Sequence, residues 1–404
     1  MSVWIIEPRD PLVVRDARPF SAAVAGARAT SLDFPFPSTV AGGARTRAGL
    51  SDGVFDKGLI PEVKGIEIRG PLLVELDRRG EVSDWLYPAP SDALLLARAE
   101  GGGPATGEHA GVTLVKLFPL DSGPGLTNLG DSAAGLLPVG AGSPLKGKPY
   151  SGAPRYWRLG ALADWLTQDR LGGDTSGVPV TPSELGHDGP LKETRTHVGV
   201  ERGTQTAREG ALFQTSGLVF RRLSPEGGPG VPVRLGLAVW VDDSGRGGQI
   251  ADGPAPLAGE RRLVEWRRSD DDLPACPTGV RERVVADRAC RVVLLTPAHF
   301  DEGSKPSWLV EPRGGVRPRL RAMASGRAQV VSGWDFELDR PKPTRRLVPA
   351  GATFFLTLEG GDAEIGKWVD DMWMRCVSDG EADRRDGFGM AAIGVWGGRP
   401  LTLE

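Results

Sequence analysis

Histidine is the side chain that most often serves as a general acid or base near neutral pH, and this sequence has only four. They are His109, His187, His197 and His299. No two of them have the spacing of metal ligands on one helix, and none lies near a pair of cysteines. We therefore expect no metal site and no cofactor.

His197 has the most informative surroundings, because Arg195 and Arg202 lie close to it in the sequence. In a ribonuclease, such a histidine would exchange a proton near a ribose 2′-hydroxyl, helped by a basic side chain. A lone histidine is a poor catalytic signature, so we favour a histidine that contacts RNA or packs at the base of a hairpin. We predict no catalytic residue and a protein that is not an enzyme.

Arginine accounts for nearly all the positive charge in the segments that we consider for RNA contacts. Guanidinium groups bind phosphate through two hydrogen bonds and stack on bases, and threonine hydroxyls can reach phosphates or 2′-hydroxyls. Some of the 49 basic residues must instead form ordinary surface ion pairs. The residues considered are Arg15, Arg18, Arg45, Arg195, Arg202, Arg208, Arg261, Arg262, Thr194, Thr196, Thr204 and Thr206.

Two other patterns resemble a phosphate-binding loop and a metal-binding carboxylate cluster, but neither has the context that such a site needs. Residues 142–148 have the spacing of a phosphate-binding loop, but Pro149 stands where a serine or threonine would hold magnesium. Acidic residues cluster at 242–243, 270–272 and 370–371, in charge-rich loops or on the polar side of a helix. We interpret these carboxylates as solvated surface.

Composition limits the class of protein. The formal net charge is −3, so any RNA contact must come from a local basic patch. The cysteines, Cys276, Cys290 and Cys376, are odd in number and widely spaced, which fits a reducing cytoplasm without a disulfide framework. No stretch approaches eighteen apolar residues, so we expect a soluble, cytoplasmic protein that does not contact a membrane.

The first fifty residues set the organisation of the chain. An apolar run, Val3–Ile6, predicts a buried strand, and a long arginine- and proline-containing connection follows it. The connection ends where Ser38 or Thr39 can cap a helix. Gly42 and Gly43 weaken that helix by about 1 kcal/mol each, so we expect another backbone, a ligand or a strand to approach there.

The remainder of the first half has a βαββ order, with strands over 65–76 and 84–88, as at the start of a ferredoxin-like fold. Residues 98–155 form a glycine- and proline-rich insertion, and 159–170 have helical spacing. Residues 191–208 resemble a protruding hairpin or ordered loop that leads into a strand. Because Gly227–Gly230 is the best linker signal, we place two domains at 1–228 and 229–404.

The second half contains the same kinds of strands and helices, including an amphipathic helix over 364–377 and a closing strand over 390–396. The glycine loop 386–389 precedes that strand. Its backbone N–H groups can bind a phosphate while Phe388 stacks on a base. The alternative is a tight turn with Phe388 in the core.

Several motifs, in the same order along nearly the whole chain, resemble the CRISPR-associated RAMP family, and in particular the third subunit of the type III-B (Cmr) effector complex. Ala17 departs from the pattern, because we expect glycine in that tight turn. The matching segments are Asp10–Leu12, Arg15–Phe20, Pro37–Thr46, Thr196–Val200, Glu209–Phe213, Gly259–Arg262, Lys342–Pro343, Val348–Gly351 and Gly387–Gly389.

The resemblance implies an α+β fold of two tandem ferredoxin-like (RRM-like, RAMP) domains with long inserted loops. It implies a non-catalytic subunit that binds the 5′ repeat-derived tag of a guide RNA in antiviral defence. Its partners would be that RNA, the large cyclase-like subunit and the repeating backbone RAMP subunit, with no direct contact to DNA. The residues that we assign to RNA binding are Arg15, Arg18, Ser38, Thr39, Gly42, Arg45, His197, Arg202, Thr204, Thr206, Arg261, Arg262, Gly387, Phe388 and Gly389.

Two alternatives stay open at this point. One is an endoribonuclease that processes guide precursors with His197 as the acid or base. The other is a purely structural scaffold whose basic loops meet acidic protein partners.

Overall fold

The computed structural model of the protein describes most of the chain. The described ranges are 2–15, 27–29, 31–51, 53–97, 111–121, 135–145, 147–170, 177–223, 232–242, 250–335 and 337–402.

The helices are short, and none of those in the described part of the chain is long and apolar enough to cross a membrane. They are α1 Pro37–Ala48, α2 Ile60–Lys64, α3 Leu159–Thr167, α4 Pro182–Leu185, α5 Val280–Asp287, α6 Ser307–Val310, α7 Asp362–Met372 and α8 Glu381–Arg385, with a 3₁₀ turn at Lys57–Leu59.

Strands make up most of the regular structure. They are β1 Ser2–Pro8, β2 Ala27–Ala29, β3 Leu50–Ser51, β4 Val54–Phe55, β5 Ile68–Leu76, β6 Val82–Pro88, β7 Ala93–Ala97, β8 Val112–Lys116, β9 Phe118–Asp121, β10 Val139–Gly140, β11 Lys148–Pro149, β12 Tyr156–Arg158, β13 Val178–Val180, β14 Gly186–His187, β15 Leu191–Val200, β16 Ala207–Val219, β17 Arg221–Leu223, β18 Pro232–Val241, β19 Gly253–Leu257, β20 Arg262–Ser269, β21 Ala289–Leu294, β22 Arg317–Ala324, β23 Gln329–Val331, β24 Trp334–Asp335, β25 Arg340–Pro341, β26 Arg345–Leu347, β27 Thr353–Glu359, β28 Ala391–Val395 and β29 Leu401–Thr402.

The first sheet is built around β1, which contains the apolar run Val3–Ile6 and is buried as the sequence predicts. Its strands lie in the order β14-β12-β6-β5-β18-β1-β20-β19, and β17 pairs with β18. Strands β18 and β20 flank β1 on either side, and both run antiparallel to it. A strand from the middle of the chain therefore lies between β1 and β5.

This sheet also decides where the chain divides. Because β1 and β18 are hydrogen-bonded neighbours, a boundary between residues 228 and 229 would separate strands of one sheet. The division between the two sheets lies instead between β20 and α5, at about residues 270–279. The predicted linker, Gly227–Gly230, lies outside the described residues.

The second sheet has the strand order β22-β27-β21-β28, with every neighbouring pair antiparallel. Numbered by their sequence, these strands lie in the order 2-3-1-4. The four inner strands of the first sheet, β5-β18-β1-β20, have the same order. The mixed, strand-rich α+β class is confirmed, and the finer assignment of two ferredoxin-like domains stays a prediction.

The two sheets share a core. One face of the first sheet is covered by α1, which contributes the small buried residues Ala41 and Ala44. The opposite face packs against β21 and β28 of the second sheet, through residues such as Trp240 and Val293. The helices α5 and α7 cover the far face of the second sheet.

Helix α1 begins two or three residues earlier than expected. Its N-cap is Phe36, which forms no side-chain cap, so the prediction that Ser38 or Thr39 caps the helix is wrong. Pro37 at the first helical position begins the helix instead, since its fixed φ suits that position. The expected close approach occurs at Gly43, where an added Cβ would lie 2.5 Å from Leu257 Cδ1, and not at the exposed Gly42.

Other predicted elements are present with adjusted ends. The insertion contains β8 and β9, and α3 buries the apolar residues of the predicted helical face. Helix α7 ends at Met372 rather than at residue 377, because Trp373 is extended and Met374 has a φ of +55°. The closing strand, β28, spans Ala391–Val395.

A buried cluster of charges ties the insertion to the second sheet. Arg291 in β21 donates from Nη1 to Asp92 Oδ2 at 2.8 Å, and both side chains are almost fully buried. Asp92 Oδ1 also accepts from Trp165 Nε1 and Thr353 Oγ1, each at 3.2 Å. Lys116 donates to the backbone oxygen of Trp165 at 3.0 Å. Burial, with the nearby charge of Arg291, lowers the pKa of Lys116 to about 6.

We expect Asp92→Asn to destabilise the protein by about 3–5 kcal/mol, because it leaves the Arg291 guanidinium buried without a counter-charge. Denaturant unfolding measures the effect. The matched control is Asp164→Asn on the exposed side of α3, which should stay within about 0.5 kcal/mol of wild type. Adding Arg291→Met to Asp92→Asn should restore part of the loss. An Asp92→Asn cost as small as that of the control would contradict this role.

The lowered pKa of Lys116 makes stability depend on pH. Between about pH 6 and the ordinary lysine pKa of 10.5, the unfolded chain holds one more proton than the folded chain at this position. The free energy of unfolding should therefore rise with pH over that window, by at most about 1.4 kcal/mol per pH unit. Denaturant unfolding at pH 6.5 and 8.5 should show the rise in wild type and in exposed Lys148→Met. It should be reduced in Lys116→Met, and an unchanged slope there would exclude Lys116 as the source.

Candidate nucleic-acid interface

The segment 191–208 forms the first strand and the tip of a long ribbon, which we call the thumb hairpin (residues 191–219). Strands β15 and β16 pair antiparallel along it, with a bulge between Val198 and Val200. Most side chains of β15 are exposed, and those of β16 become buried only towards Val219. The described part of the first connection supplies β2, which pairs parallel with β16. The thumb hairpin thus carries polar side chains away from the core.

His197 packs within the thumb hairpin. Its ring stacks on Phe213, the residue opposite it in the register, with ring centres 5.1 Å apart and planes 18° apart. Its Nε2 lies 2.8 Å from the hydroxyl of Thr215. Among the described residues, no carboxylate, lysine or arginine is hydrogen-bonded to the imidazole. The geometry is that of a histidine held in place on one ribbon face.

The tip of the thumb hairpin presents cations and hydroxyls to solvent. Arg202 and Arg208 are exposed, and no described residue forms an ion pair with either side chain. The hydroxyls of Thr204 and Thr206 lie 2.7 Å apart. Residues 191–219 contain four lysines or arginines and three glutamates, which gives a net charge of only +1 (4 − 3). Binding there must depend on hydrogen bonds and apolar contacts as well as on charge.

Arginines from two distant segments meet beside the base of the thumb hairpin. Arg15 and Arg262 both contact the carboxylate of Glu260, at 3.4 Å and 2.6 Å respectively. An isolated bridge between Val13 and Gly259 brings these segments together. Arg261 is exposed, and Arg18 lies outside the described residues. Arg15 and Arg262 are therefore neutralised locally by one glutamate.

Arg45 does not face a groove, because its guanidinium joins the two sheets. It donates to Asp386 Oδ1 at 2.5 Å and to the backbone oxygens of Ile66 and Arg385 at 2.9 and 3.3 Å. Its side chain is 16% exposed. The prediction of an RNA contact from Arg45 is replaced by an ion pair between the end of α1 and the glycine loop.

The glycine loop is also structural. Phe388 is fully buried, in a cluster with Phe36, Val331 and Leu347, so it cannot stack on a base. The N–H groups of residues 387, 388 and 389 all donate to backbone oxygens, so none is available to a phosphate. Gly387 has a φ of +96°, and an added Cβ would lie 2.6 Å from the backbone oxygen of Gly70. The core alternative is confirmed.

A cleft of about 420 Å³ opens between the two sheets, next to the base of the thumb hairpin. Its walls come from the connection before α1, from β5, β6 and β12, and from the segments flanking β21 and β27. Ser38 and Thr39, both half-buried, follow the wall residue Pro37. The wall residues that matter below are Asp33, Phe34, Arg155, Tyr156, Lys192 and Gln329.

Two cations of the cleft share one aspartate, Asp33. The carboxylate of Asp33 contacts Lys192 Nζ and also lies 3.2 Å from Arg155 Nη1. All three side chains are exposed. Arg155 has a second partner in Asp188, whose carboxylate lies 3.9 Å from Arg155 Nε and whose backbone oxygen accepts from Arg155 Nη2 at 2.8 Å. Exposed ion pairs contribute about 0.2–1 kcal/mol each, so another anion can displace this carboxylate.

Sequence reasoning missed the cleft. Lys192 lies in the segment 191–208, but it is not one of the arginines and threonines that were assigned to RNA binding. Asp33 and Arg155 carry no motif, since only the fold brings them together. Among the residues that the structure describes, no group of three histidine, cysteine or acidic side chains is placed to hold a metal ion.

A family model described as "CRISPR-associated protein (Cas_Cmr3)" matches residues 4–396. No curated protein matches the chain. One cryo-EM structure, of a type III-B Cmr-beta complex bound to cognate target RNA and AMPPnP, shares 14% identity and a TM-score of 0.43, covering 92% of this chain and 88% of that one. A second, of Cmr-beta bound to cognate target RNA, has 14% identity, TM-score 0.43 and coverages of 87% and 86%. A crystal structure of a Csm3-Csm4 subcomplex of the type III-A interference complex has 10% identity, TM-score 0.32 and coverages of 89% and 94%.

We expect Phe388→Ala to cost about 3–5 kcal/mol of folding stability, because it removes a fully buried ring from the contact between the sheets. Phe213→Ala is the matched control, since its half-buried ring lies on the thumb hairpin, and it should cost much less. Thermal unfolding of both variants measures the difference. If Phe388→Ala left stability unchanged and weakened RNA binding alone, the core assignment would be wrong.

Proposed function

Because the chain belongs to the CRISPR-associated Cas_Cmr3 family, whose model spans residues 4–396, we propose that it is a non-catalytic subunit of a type III-B CRISPR effector complex. In this role it binds the 5′ repeat-derived tag of the guide RNA. It also joins the large cyclase-like subunit to the repeating backbone subunit. The observation that carries the RNA-binding part is the cleft between the sheets, where two exposed cations share the displaceable carboxylate of Asp33.

We infer that the two sheets are two ferredoxin-like units. Both have the inner strand order 2-3-1-4 with antiparallel neighbours. Helix α1 connects strands 1 and 2 of the first unit, whereas the second unit has only the four-residue α6 in that connection and carries α5 before its first strand. The first unit departs from the pattern between strands 3 and 4, where the described residues form β19 rather than a helix. In both units, a ribbon grows from the connection between strands 2 and 3. The cleft lies between the units.

The RNA strand would enter the cleft beside Asp33. A phosphate that approaches Lys192 and Arg155 replaces the Asp33 carboxylate as their counter-ion, and both cations are already held in position. Phe34, half-buried and 5.6 Å from the ring of Tyr156, offers a face on which a base can stack. These contacts recognise a single strand by its backbone and bases.

The thumb hairpin would contact the same strand where the tag meets the guide. Arg202 and Arg208 supply guanidinium groups at its tip, and Thr204 and Thr206 supply hydroxyls. Val198 and Leu212 are paired in the register and are both exposed. An apolar pair of this kind can insert between unstacked bases and pack against their exposed faces.

The non-catalytic assignment is supported by the surroundings of His197. Its ring is stacked on Phe213 and bonded to a threonine hydroxyl, rather than oriented by a carboxylate. An acid–base histidine usually has a partner that sets its tautomer and orientation.

The test is a titration of the purified chain, together with its large partner subunit, against guide RNA with or without the 5′ tag. We expect tag-dependent binding that weakens with salt and leaves the RNA intact on a denaturing gel. Arg202→Ala with Arg208→Ala should weaken it at least several-fold, while Arg283→Ala with Arg317→Ala, exposed arginines of the second unit, should not. Asp33→Asn should strengthen binding at low salt, because it frees Lys192 and leaves Arg155 with Asp188 alone. Each cation that neutralises a phosphate can add about 0.7 to the slope of log affinity against log salt.

The other outcomes are equally informative. Cleavage that requires His197 would make the protein an endoribonuclease. Absence of any tag preference, with assembly intact, would leave a structural scaffold. An unchanged or weaker affinity in Asp33→Asn would remove the cleft from the RNA path.

A further inference from the structure

A second, smaller pocket lies on the first sheet at the root of the thumb hairpin. Its volume is about 170 Å³, and the charged residues that line it are Glu75, Arg158, Asp188 and Arg222. Asp188 comes three residues before β15, and Arg222 comes three residues after β16. The pocket therefore lies where both strands of the thumb hairpin join the sheet. The function proposed above does not use it.

The pocket and the cleft share one face of the first sheet. Tyr156 of the cleft wall is the register partner of His187, which lines the pocket. Arg158 lies two residues further along β12, so its side chain points to the same face. Leu86 opposite Arg158, and Leu73 opposite Leu86, continue this face into the cleft. A strand that lies in the cleft can reach the pocket without crossing the sheet.

Arg155 lies between the cleft and the pocket. Its Nη1 is 3.2 Å from the carboxylate of Asp33 in the cleft. Its Nη2 donates at 2.8 Å to the backbone oxygen of Asp188, which lines the pocket. A phosphate bound at Arg155 would therefore place an adjacent nucleotide within reach of the pocket.

Most polar groups of the pocket are already bonded to each other. The backbone N–H of Gly189 donates to His187 Nδ1 at 2.9 Å, so the ring proton is on Nε2, which donates to Glu75 Oε1 at 3.1 Å. Arg158 Nη1 lies 3.2 Å from Glu75 Oε2 and 3.0 Å from Asp84 Oδ2. The side chains of His187 and Glu75 are only 8% and 13% exposed. This wall is fixed before any ligand enters, and His187 has no free nitrogen for acid–base chemistry.

Arg222 is the exception, because its Nη1 is buried without a hydrogen-bond partner. No described residue forms an ion pair with its guanidinium group. Burial lowers the pKa of Arg222, and the nearby charges of Asp188 and Glu75 oppose this effect from outside ion-pair distance. A buried donor without a partner costs stability, and an acceptor supplied by a ligand would remove that cost.

The charges of the pocket decide which ligand fits. Two arginines and two acids line it, and His187 is neutral, so the formal charges cancel and a phosphate gains no net attraction. A nucleobase is neutral and carries both acceptors and donors on its edge. Arg222 offers donors to such an edge, and the carboxylate of Asp188 offers an acceptor. Pro154 and Pro182 add apolar surface for the faces of the base.

We propose that this pocket receives one unstacked nucleobase of the RNA strand in the cleft, with Arg222 donating to acceptors on the edge of the base. The inference rests on the proposed function, because that function supplies the strand. Arg155 then positions the backbone, and Arg222 reads the base. The pocket would give the protein a sequence preference at one position of the tag.

The experiment is a thermodynamic cycle with the full-length chain, its large partner subunit and tagged guide RNA, in which each tag nucleotide in turn is made abasic. We expect one abasic position to weaken wild-type binding on the order of 10-fold, and Arg222→Ala to weaken binding of intact RNA by a similar factor. The two losses should not add, so Arg222→Ala should bind that abasic RNA as tightly as intact RNA. The slope of log affinity against log salt should stay at its wild-type value, because Arg222 contacts no phosphate.

Two control variants should keep the full wild-type sensitivity to that abasic position. Arg221→Ala is the matched control, because this exposed neighbour on β17 points to the opposite face. Gln329→Ala changes a neutral residue of the cleft wall. The thermal midpoint of Arg222→Ala should equal or exceed that of wild type, since the side chain has no bonded partner to lose.

Three results would overturn the inference. Additive losses at every tag position would show that Arg222 does not contact a base. A salt slope reduced by about 0.7 in Arg222→Ala would make this residue a phosphate contact. A lowered thermal midpoint without coupling to any abasic position would make it a structural residue. The proposed function fails by a different readout, the absence of tag-dependent binding in wild type, and the inference would fall with it.

Discussion

The interior of the molecule depends on the ion pair between Asp92 and Arg291. These residues belong to different parts of the fold, one just before β7 and the other in the middle of the second sheet. A buried charge without a partner costs several kcal/mol, so the chain has to place both groups together once either is buried. The backbone oxygens of Trp165 and Gln168, at the end of α3, accept hydrogen bonds from both Arg291 and Lys116. These N–H donors bind the carbonyls that a glycine cap would otherwise satisfy, and they fix α3 between the two sheets.

The contact between Arg45 and Asp386 has a similar effect on the other side of the molecule. It joins α1 to the loop before the last strand of the second sheet, and Phe388 is buried beside it. The cleft is therefore bounded by walls that are already fixed to each other. A cleft with fixed walls has few groups left to order when a ligand enters, so less of the interaction free energy would be lost to ordering if RNA binds there as proposed.

The sequence predicted local elements well, because their signals are local. The apolar run of β1, the helical spacing of α3 and the polar thumb segment all appear in the structure. The division of the chain was not predictable in this way, since the pairing of β1 with β18 joins residues more than 230 positions apart. The RNA contacts predicted for Arg45 and for the glycine loop were wrong for the same reason. The motifs around Arg45 and Phe388 were correctly identified as special, but their partners are each other, and pattern alone does not reveal a contact between residues 341 positions apart.

A chain with a net charge of −3 can still bind a polyanion if its local charges are exchangeable. Here Asp33 holds Lys192 and Arg155 in the open cleft, as Glu260 holds Arg15 and Arg262 beside the thumb hairpin. These acids keep the cations oriented. They also weaken the binding of any other anion, because that anion must first displace the carboxylate. A phosphate that is correctly placed to meet both cations compensates for that displacement, whereas one that meets a single cation does not. Under the proposed function, the internal carboxylates would favour a strand of defined geometry over non-specific RNA, which is the discrimination that tag binding requires.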